Sequence, residues 1–269
     1  MFLDRWRQRL VWDGSAGSPR SANAASSFHL IWEVPPGEWV AAEVTLDVRH
    51  APVVAALFFW ALQVSFVDRG RDGGAAHLGL QWYPPHPGAT AVNWGGYHPD
   101  GRELDGSVSV LPSATGNVNT RDLAWLPGRA YRLRVCHGDQ SSPPGTTAWR
   151  GEVTDTATGA LVVVRELFAV GDRLAAPMVW SEVFARCDDP GVEVCWSGLR
   201  LRSASGAVHE VERVRVNYQA RKEGGCATTD VQVDTIGVVQ RTRAIRVTPG
   251  GSVLAVPAAP VGDPGMGER

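Results

Sequence analysis

Apolar and polar side chains alternate along much of this chain, and the clearest case runs from residue 77 to residue 83. The apolar positions of this stretch are Leu78, Leu80 and Trp82, and the positions between them carry His77, Gly79, Gln81 and Tyr83. A period of two is typical of a β-strand with one buried face. After a proline-rich turn, residues 90–94 repeat the pattern. The two stretches therefore predict a pair of strands with a core face and a polar face.

The same period recurs along the chain at short intervals. The further predicted strands are residues 28–34, 40–48, 57–67, 129–136, 147–155, 161–168, 176–184, 192–202 and 207–219, with up to two more in 231–247. No stretch of a dozen residues carries the 3.6-residue apolar period of a helix. Many short strands between turn-rich loops favour an antiparallel sandwich or barrel.

We predict the sandwich, an all-β fold of two antiparallel sheets. Three strands supply its predicted core, which is Phe58, Trp60, Leu62, Val64, Leu78, Leu80, Leu133 and Val135. Residues 1–27 are predicted to form an irregular N-terminal arm, because residues 13–27 are small, polar and rich in Gly and Ser. Residues 28–248 then form the sandwich domain. Residues 249–269, where Gly, Pro and Ala dominate, are predicted as a flexible tail.

The charge balance limits the partners. A formal net charge of −2 and a sequence pI near 6.4 give no electrostatic reason to expect nucleic acid or an anionic membrane as a partner. The first ten residues carry early charges but no apolar run of a secretion signal, so we expect a cytoplasmic protein. The expected partner is a glycan or other small molecule, and the oligomeric state is left open.

The four cysteines are widely spaced and form no CxxC pair, which argues against a zinc site. In a reducing compartment all four are expected as free thiols. The alternative is one disulfide, either Cys187–Cys226 or Cys195–Cys226.

A series of short motifs resembles an uncharacterised bacterial domain family. The motifs are His77–Gln81, Ala91–Trp94, Leu126–Arg134, Trp149–Glu152 and Val179–Phe184, in that order within residues 28–200. The resemblance implies a concanavalin-like jelly-roll sandwich, and the family is often found beside carbohydrate-active modules. His77 departs from the pattern, because an aromatic residue is usual at that position.

The motifs of many enzyme classes are missing from the sequence. It contains no P-loop, no HExxH and no GxSxG, and no strand with the alternating carboxylates of the jelly-roll glucanases. No cofactor and no metal site are predicted. Residues 188–191 carry two aspartates that could bind calcium, but Asp-Pro-Gly more simply makes a turn.

The remaining candidate is a polar face shared by several strands. In residues 178–184 the side chains of Trp180, Glu182 and Phe184 fall on one side, and a carboxylate between rings is an arrangement that sugar-binding sheets use. The candidate ligand-binding residues are Gln63, His77, Gln81, Asn93, Arg132, Arg134, Arg150, Trp180 and Glu182. Half of any antiparallel sheet can face water, so a plain solvated face is the alternative.

Glu182 and His77 are the candidate catalytic residues. We expect Glu182 to lie on a concave face with an arginine or amide side chain within hydrogen-bonding reach. For His77, a hydrogen-bonded structural role is the stronger interpretation, because the sequence places no orienting carboxylate beside it.

Three functions remain open at this point. The first is a module that holds a glycan or other polar small molecule on a concave sheet face. The second is a cyclase or hydrolase with a cavity lined by Trp60, Trp82, Trp94 and Trp180. The third is a structural or interaction protein.

Overall fold

The computed structural model describes residues 12–258, which fold almost entirely into β-strands. The strands are β1 (Ser26–Trp32), β2 (Trp39–His50), β3 (Phe58–Asp68), β4 (Arg71–Trp82), β5 (Thr90–Tyr97), β6 (Thr120–Asp122), β7 (Ala130–His137), β8 (Thr147–Asp155), β9 (Leu161–Ala169), β10 (Arg173–Val183), β11 (Glu193–Ser203), β12 (Val208–Glu210), β13 (Arg213–Tyr218), β14 (Thr229–Val233), β15 (Val238–Thr242) and β16 (Val253–Ala255). Two 3₁₀ turns cover Pro87–Ala89 and Arg221–Glu223. None of the helical turns in residues 12–258 is long and apolar enough to span a bilayer.

The strands form two antiparallel sheets. Sheet A has the order β16-β13-β1-β10-β3-β4-β5-β6, and sheet B has the order β14-β15-β11-β2-β7-β8-β9, with β12 paired to β11. One pair of residues, Leu174 in β10 and Trp39 in β2, joins the two sheets at a corner. The predicted all-β, two-sheet antiparallel sandwich is confirmed.

The core lies between the two sheets. All eight predicted core residues are buried there. Two of the large core indoles hydrogen-bond backbone carbonyls, whereas the buried N–H of Trp32 has no partner within residues 12–258. Trp94 Nε1 donates to the Trp149 carbonyl at 3.2 Å, and Trp125 Nε1 donates to the Gln81 carbonyl at 3.2 Å. The opposite face of each sheet points outward.

Strand boundaries differ from the prediction where the chain turns tightly. The turn expected at residues 68–74 needs only Arg69 and Gly70, so β4 begins at Arg71. The stretch 207–219 divides into β12 and β13, and the short strand β6 was not predicted. β16 lies inside the expected tail, where Leu254 packs on the core and pairs with Val214. Residues 12–25 form no strand, and residues 1–11 and 259–269 of the predicted arm and tail lie outside the described part of the chain.

The expectation of four free thiols is wrong. Cys187 and Cys226 form a disulfide with a Cα–Cα distance of 5.4 Å, while Cys136 and Cys195 are free and buried. Cys187 follows β10 and Cys226 precedes β14, and the fold brings the two loops together although 39 residues separate them in sequence. This pair was one of the two alternatives that the sequence left open.

Candidate functional site

The outward side of sheet A carries the candidate site, which we call the amide face. It consists of the outward side chains of four neighbouring strands, β10, β3, β4 and β5. Those side chains are Met178, Trp180 and Glu182; Phe59, Ala61, Gln63 and Ser65; Ala75, His77, Gly79 and Gln81; and Ala91, Asn93, Gly95 and Tyr97. The pairing register places them in rows across the strands, since a residue and its partner on the next strand share a face.

Six of the nine predicted ligand-binding residues lie together on this face. They are Gln63, His77, Gln81, Asn93, Trp180 and Glu182. The other three, Arg132, Arg134 and Arg150, lie on β7 and β8 and project from the outer side of sheet B. The prediction of one shared site is therefore wrong for the arginines. Alternation shows that a side chain points outward, but it does not show from which sheet.

The arginines of sheet B belong to a network of opposite charges. Arg150 lies 2.8 Å from Glu166 and 2.6 Å from Asp139, and Arg134 hydrogen-bonds Glu152 at 3.4 Å. Burial alone would lower the pKa of Arg150, but the carboxylates of Asp139 and Glu166 raise it overall. These pairs neutralise the outer side of sheet B around β7 and β8.

A row of small residues, which we call the trough, crosses the middle of the amide face. It consists of Ala61 on β3 and Gly79 on β4, which pair directly with each other. Gly79 has no room for a side chain, because a Cβ there would lie 2.0 Å from the Trp60 carbonyl oxygen. Larger side chains stand in the rows on either side, Phe59 and Gln81 in one, Gln63 and His77 in the other. The rings of Phe59 and His77 meet across this row with centroids 5.5 Å apart, and Ala61 is fully buried, so side chains fill the space above the small residues.

Trp180 closes one end of the trough. Its Nε1 donates to Gln63 Oε1 at 3.0 Å, and its ring meets Phe59 edge-on with centroids 4.9 Å apart. Only 7 % of Trp180 is exposed, so its ring is a wall of the site rather than the stacking platform that the sequence suggested. The accessible ring of this face is Tyr97, which is 49 % exposed and lies 6.4 Å from His77.

Asn93 lies at the other end of the trough, beside Gly79, and its side-chain oxygen is buried without a hydrogen-bond donor. Its Nδ2 donates to Thr120 Oγ1 at 2.8 Å, whereas its buried Oδ1 has no hydrogen-bond partner. Gln81, only 6 % exposed, makes no side-chain hydrogen bond within residues 12–258. Buried amides without partners are costly, so these two amides have bonding capacity for a ligand or for water.

The histidines of this face are neutral at pH 7. Burial lowers the pKa of His77 to about 4. Burial also lowers the pKa of His29, which lies beside Trp180 on β1, although a hydrogen bond with the Asn217 backbone opposes the shift. Across the outward positions of β10, β3, β4 and β5 within the rows described above, Glu182 is the single acid, and Arg, Lys and Asp are absent.

Glu182 is held by two donors on the same oxygen. Asn23 Nδ2 donates to Glu182 Oε1 at 2.8 Å, and Ser27 Oγ lies 3.4 Å from that oxygen. Burial raises the pKa of Glu182, while these two hydrogen bonds hold it lower than burial alone would. The expectation of an amide within reach is confirmed. The amide comes from the N-terminal arm, however, and no local pattern in the sequence points to Asn23.

Comparisons with known proteins add little. No protein-family model matches the chain, and no curated protein sequence matches it. Solved structures with similar coordinates include scytalido-glutamic peptidase with a peptide-based transition state analog (11% identity, TM-score 0.45) and SCP-B, a member of the eqolisin family of peptidases, in a complex with the tripeptide Ala-Ile-His (11%, 0.44). Each match covers 84% of this chain and 98% of the other. Likeness at this level carries no inference about the activity of this chain.

Proposed function

We propose that this protein binds an uncharged ligand rich in hydroxyl groups, a neutral glycan, on the amide face. The observation that carries the proposal is a pair of buried amides with unused hydrogen-bonding capacity: Asn93 Oδ1 has no partner, and the Gln81 side chain makes no hydrogen bond within residues 12–258. A hydroxyl both donates and accepts, so it matches an amide that has one group of each kind.

The electrostatics of the face favour a neutral ligand. An anionic ligand would need a nearby Arg or Lys, and the described outward positions of β10, β3, β4 and β5 carry neither. His77 and His29 have lowered pKa values and do not supply a positive charge at pH 7. The polar groups that remain are amides, neutral imidazoles and the single carboxyl of Glu182.

The cavity-based enzyme receives no support from the positions of its tryptophans. Trp60 and Trp94 are buried between the sheets, and Trp82 packs against the same core. Trp180 lies on the opposite side of sheet A. The four rings therefore do not line one cavity.

A hydrolase of the amide face is the second candidate, because Glu182 has a raised pKa and keeps its proton to higher pH than an ordinary carboxyl. Glycoside hydrolysis usually needs a second carboxyl within about 10 Å. Asp122 is in the same row as Glu182, but β3, β4 and β5 lie between their strands. Four strand spacings amount to about 19 Å. The geometry therefore favours binding over glycoside hydrolysis.

Calorimetric titration with neutral oligosaccharides, at pH 7 and pH 5, tests the proposal. Gln81→Met keeps the length of the side chain and removes its hydrogen bonds, so we expect about tenfold weaker binding. Gln232→Met, at an exposed position of sheet B, is the matched control and should bind like wild type. The proposal fails if no neutral oligosaccharide binds, or if Gln81→Met and the control bind equally well. Sugar products in the titration mixture, absent with Glu182→Gln, would favour the hydrolase instead.

A further inference from the structure

Residues 13–25 of the N-terminal arm, which we call the arm from here on, reach the amide face from the end of the sandwich that holds the disulfide. Its Ser21 hydroxyl hydrogen-bonds Asn23 Oδ1 at 2.9 Å and accepts from the Ala25 backbone N–H at 3.0 Å. These contacts fix the turn before β1 and aim the Asn23 amide at Glu182. Asn23 thus contributes to the face although it lies outside every strand.

The loops that carry the two cysteines hold the arm in place. The Cys187 N–H donates to the Gly17 carbonyl at 2.8 Å, and the Gly17 N–H donates to Asp188 Oδ1 at 2.9 Å. On the other loop, the Ala227 N–H donates to the Gly14 carbonyl at 2.8 Å. A third backbone bond joins the Arg20 N–H to the Gly224 carbonyl at 2.9 Å.

The fit between the arm and these loops is close. A Cβ on Gly14 would lie 2.9 Å from the Ala227 backbone nitrogen, and a Cβ on Gly224 would lie 2.0 Å from the Ser21 nitrogen. Because the nearest atoms are backbone atoms, they cannot move aside for an added methyl group as the end of a flexible side chain could. The disulfide ties the two loops to each other, so the arm packs against a cross-linked platform.

We infer that the arm is a working part of the ligand site, in which Asn23 is a positioning residue held on Glu182 by the Cys187–Cys226 platform. The ligand part of this inference rests on the proposed function. Asn23 and Ser27 both bond Glu182 Oε1, and Oε2 makes no hydrogen bond within residues 12–258. Oε2 is therefore the oxygen that remains to accept from a hydroxyl or N–H of the ligand.

The groups around Glu182 leave few other influences on its titration. β1 contributes Ser27 and the neutral His29, β3 contributes Phe59, and the arm contributes Asn23. Burial comes first among the causes of the raised pKa, followed by the two opposing hydrogen bonds. We therefore expect loss of the Asn23 donor alone to raise the pKa of Glu182, and loss of the arm, which would also hydrate the carboxyl, to lower it.

A titration of the Glu182 carboxyl carbon by NMR, assigned with Glu182→Gln, separates these effects without any ligand. Asn23→Ala should raise the pKa of Glu182, because the anion loses a donor and stays buried. Asn217→Ala, at an exposed position of β13, is the control and should leave that pKa unchanged. The inference is overturned if Asn23→Ala titrates like wild type.

Two glycine variants test the platform. Gly14→Ala forces the arm away from the Ala227 loop, so Glu182 becomes hydrated and its pKa should fall toward 4.5. Gly17→Ala is the control. The φ of Gly17 is 80° and that of Gly14 is 77°, so an alanine is strained to the same degree at both positions, but the Gly17 Cβ would meet nothing closer than 3.9 Å. Equal titration curves for the two variants would show that the contact with the Ala227 loop does not hold the arm on Glu182.

The neutral oligosaccharide that binds most tightly to wild type then tests the positioning role. Asn23→Ala should weaken its binding about tenfold, and Asn217→Ala should not. A shifted pKa with unchanged affinity would overturn the positioning role. If no oligosaccharide binds to wild type, the proposed function and the ligand part of the inference fail together, and the titration still decides whether the arm holds Glu182.

Discussion

Glu182 is an acid on a face without an opposite charge, so its ionisation works against folding. Its pKa is raised above the ordinary value, chiefly by burial. A carboxyl whose pKa is raised in the folded state favours folding most when it is protonated in both states, below its unfolded pKa. That contribution is lost as the pH rises from the unfolded pKa through the folded one.

Glu182→Gln removes this cost at neutral pH. We expect the variant to melt at the same temperature as wild type or slightly higher at pH 7, and the difference to vanish near pH 4. Calorimetric melting curves at a series of pH values measure it. A loss of about 3 kcal/mol or more at pH 7 would instead show a carboxylate that the fold depends on, as a broken buried ion pair does.

At the scale of single strands, Gly79 shapes the trough. β3 and β4 approach so closely there that a Cβ would lie 2.0 Å from the Trp60 carbonyl oxygen and 2.7 Å from the Ala61 Cα. A methyl group at this position must push the two strands apart in the middle of sheet A. The sequence predicted the alternation around Gly79, but it could not show that the glycine is required by the neighbouring backbone.

Gly79→Ala should therefore destabilise the protein by roughly 3 kcal/mol, as overpacking of a well-packed interior does. Urea unfolding followed by tryptophan fluorescence measures the change. Gly250→Ala is the control, because a Cβ there meets only the Tyr218 ring, at 3.6 Å, and its stability should stay within about 0.5 kcal/mol of wild type. Equal stability of the two variants would mean that β3 and β4 do not pack as closely as described.

At the scale of the whole molecule, the sequence reveals the strands better than their arrangement. Alternation placed β8 at its observed bounds and put Gln63, His77 and Gln81 on one face, since a period of two is a local property. It could not assign Arg134 to sheet B, because the sheet to which a strand belongs depends on distant pairing. The Asn23 contact with Glu182 spans 159 residues and was missed for the same reason.

The disulfide is the other feature that depends on the complete fold. Thiol titration of the denatured, unreduced protein should find two thiols, Cys136 and Cys195. Both should react slowly in the native state, because burial raises the pKa of Cys136 to about 11 and that of Cys195 to about 12.

Removing the disulfide should lower the free energy of unfolding by about 4 kcal/mol, because the disulfide closes a loop of 39 residues and so restricts the unfolded chain. Urea unfolding of Cys187→Ala/Cys226→Ala against wild type measures this loss. Four reactive thiols in the denatured protein would contradict the disulfide and agree with the expected cytoplasmic location. Four thiols would also mean that no disulfide joins the two loops that hold the arm. In that case the cross-linked platform that we infer beneath Asn23 would not exist.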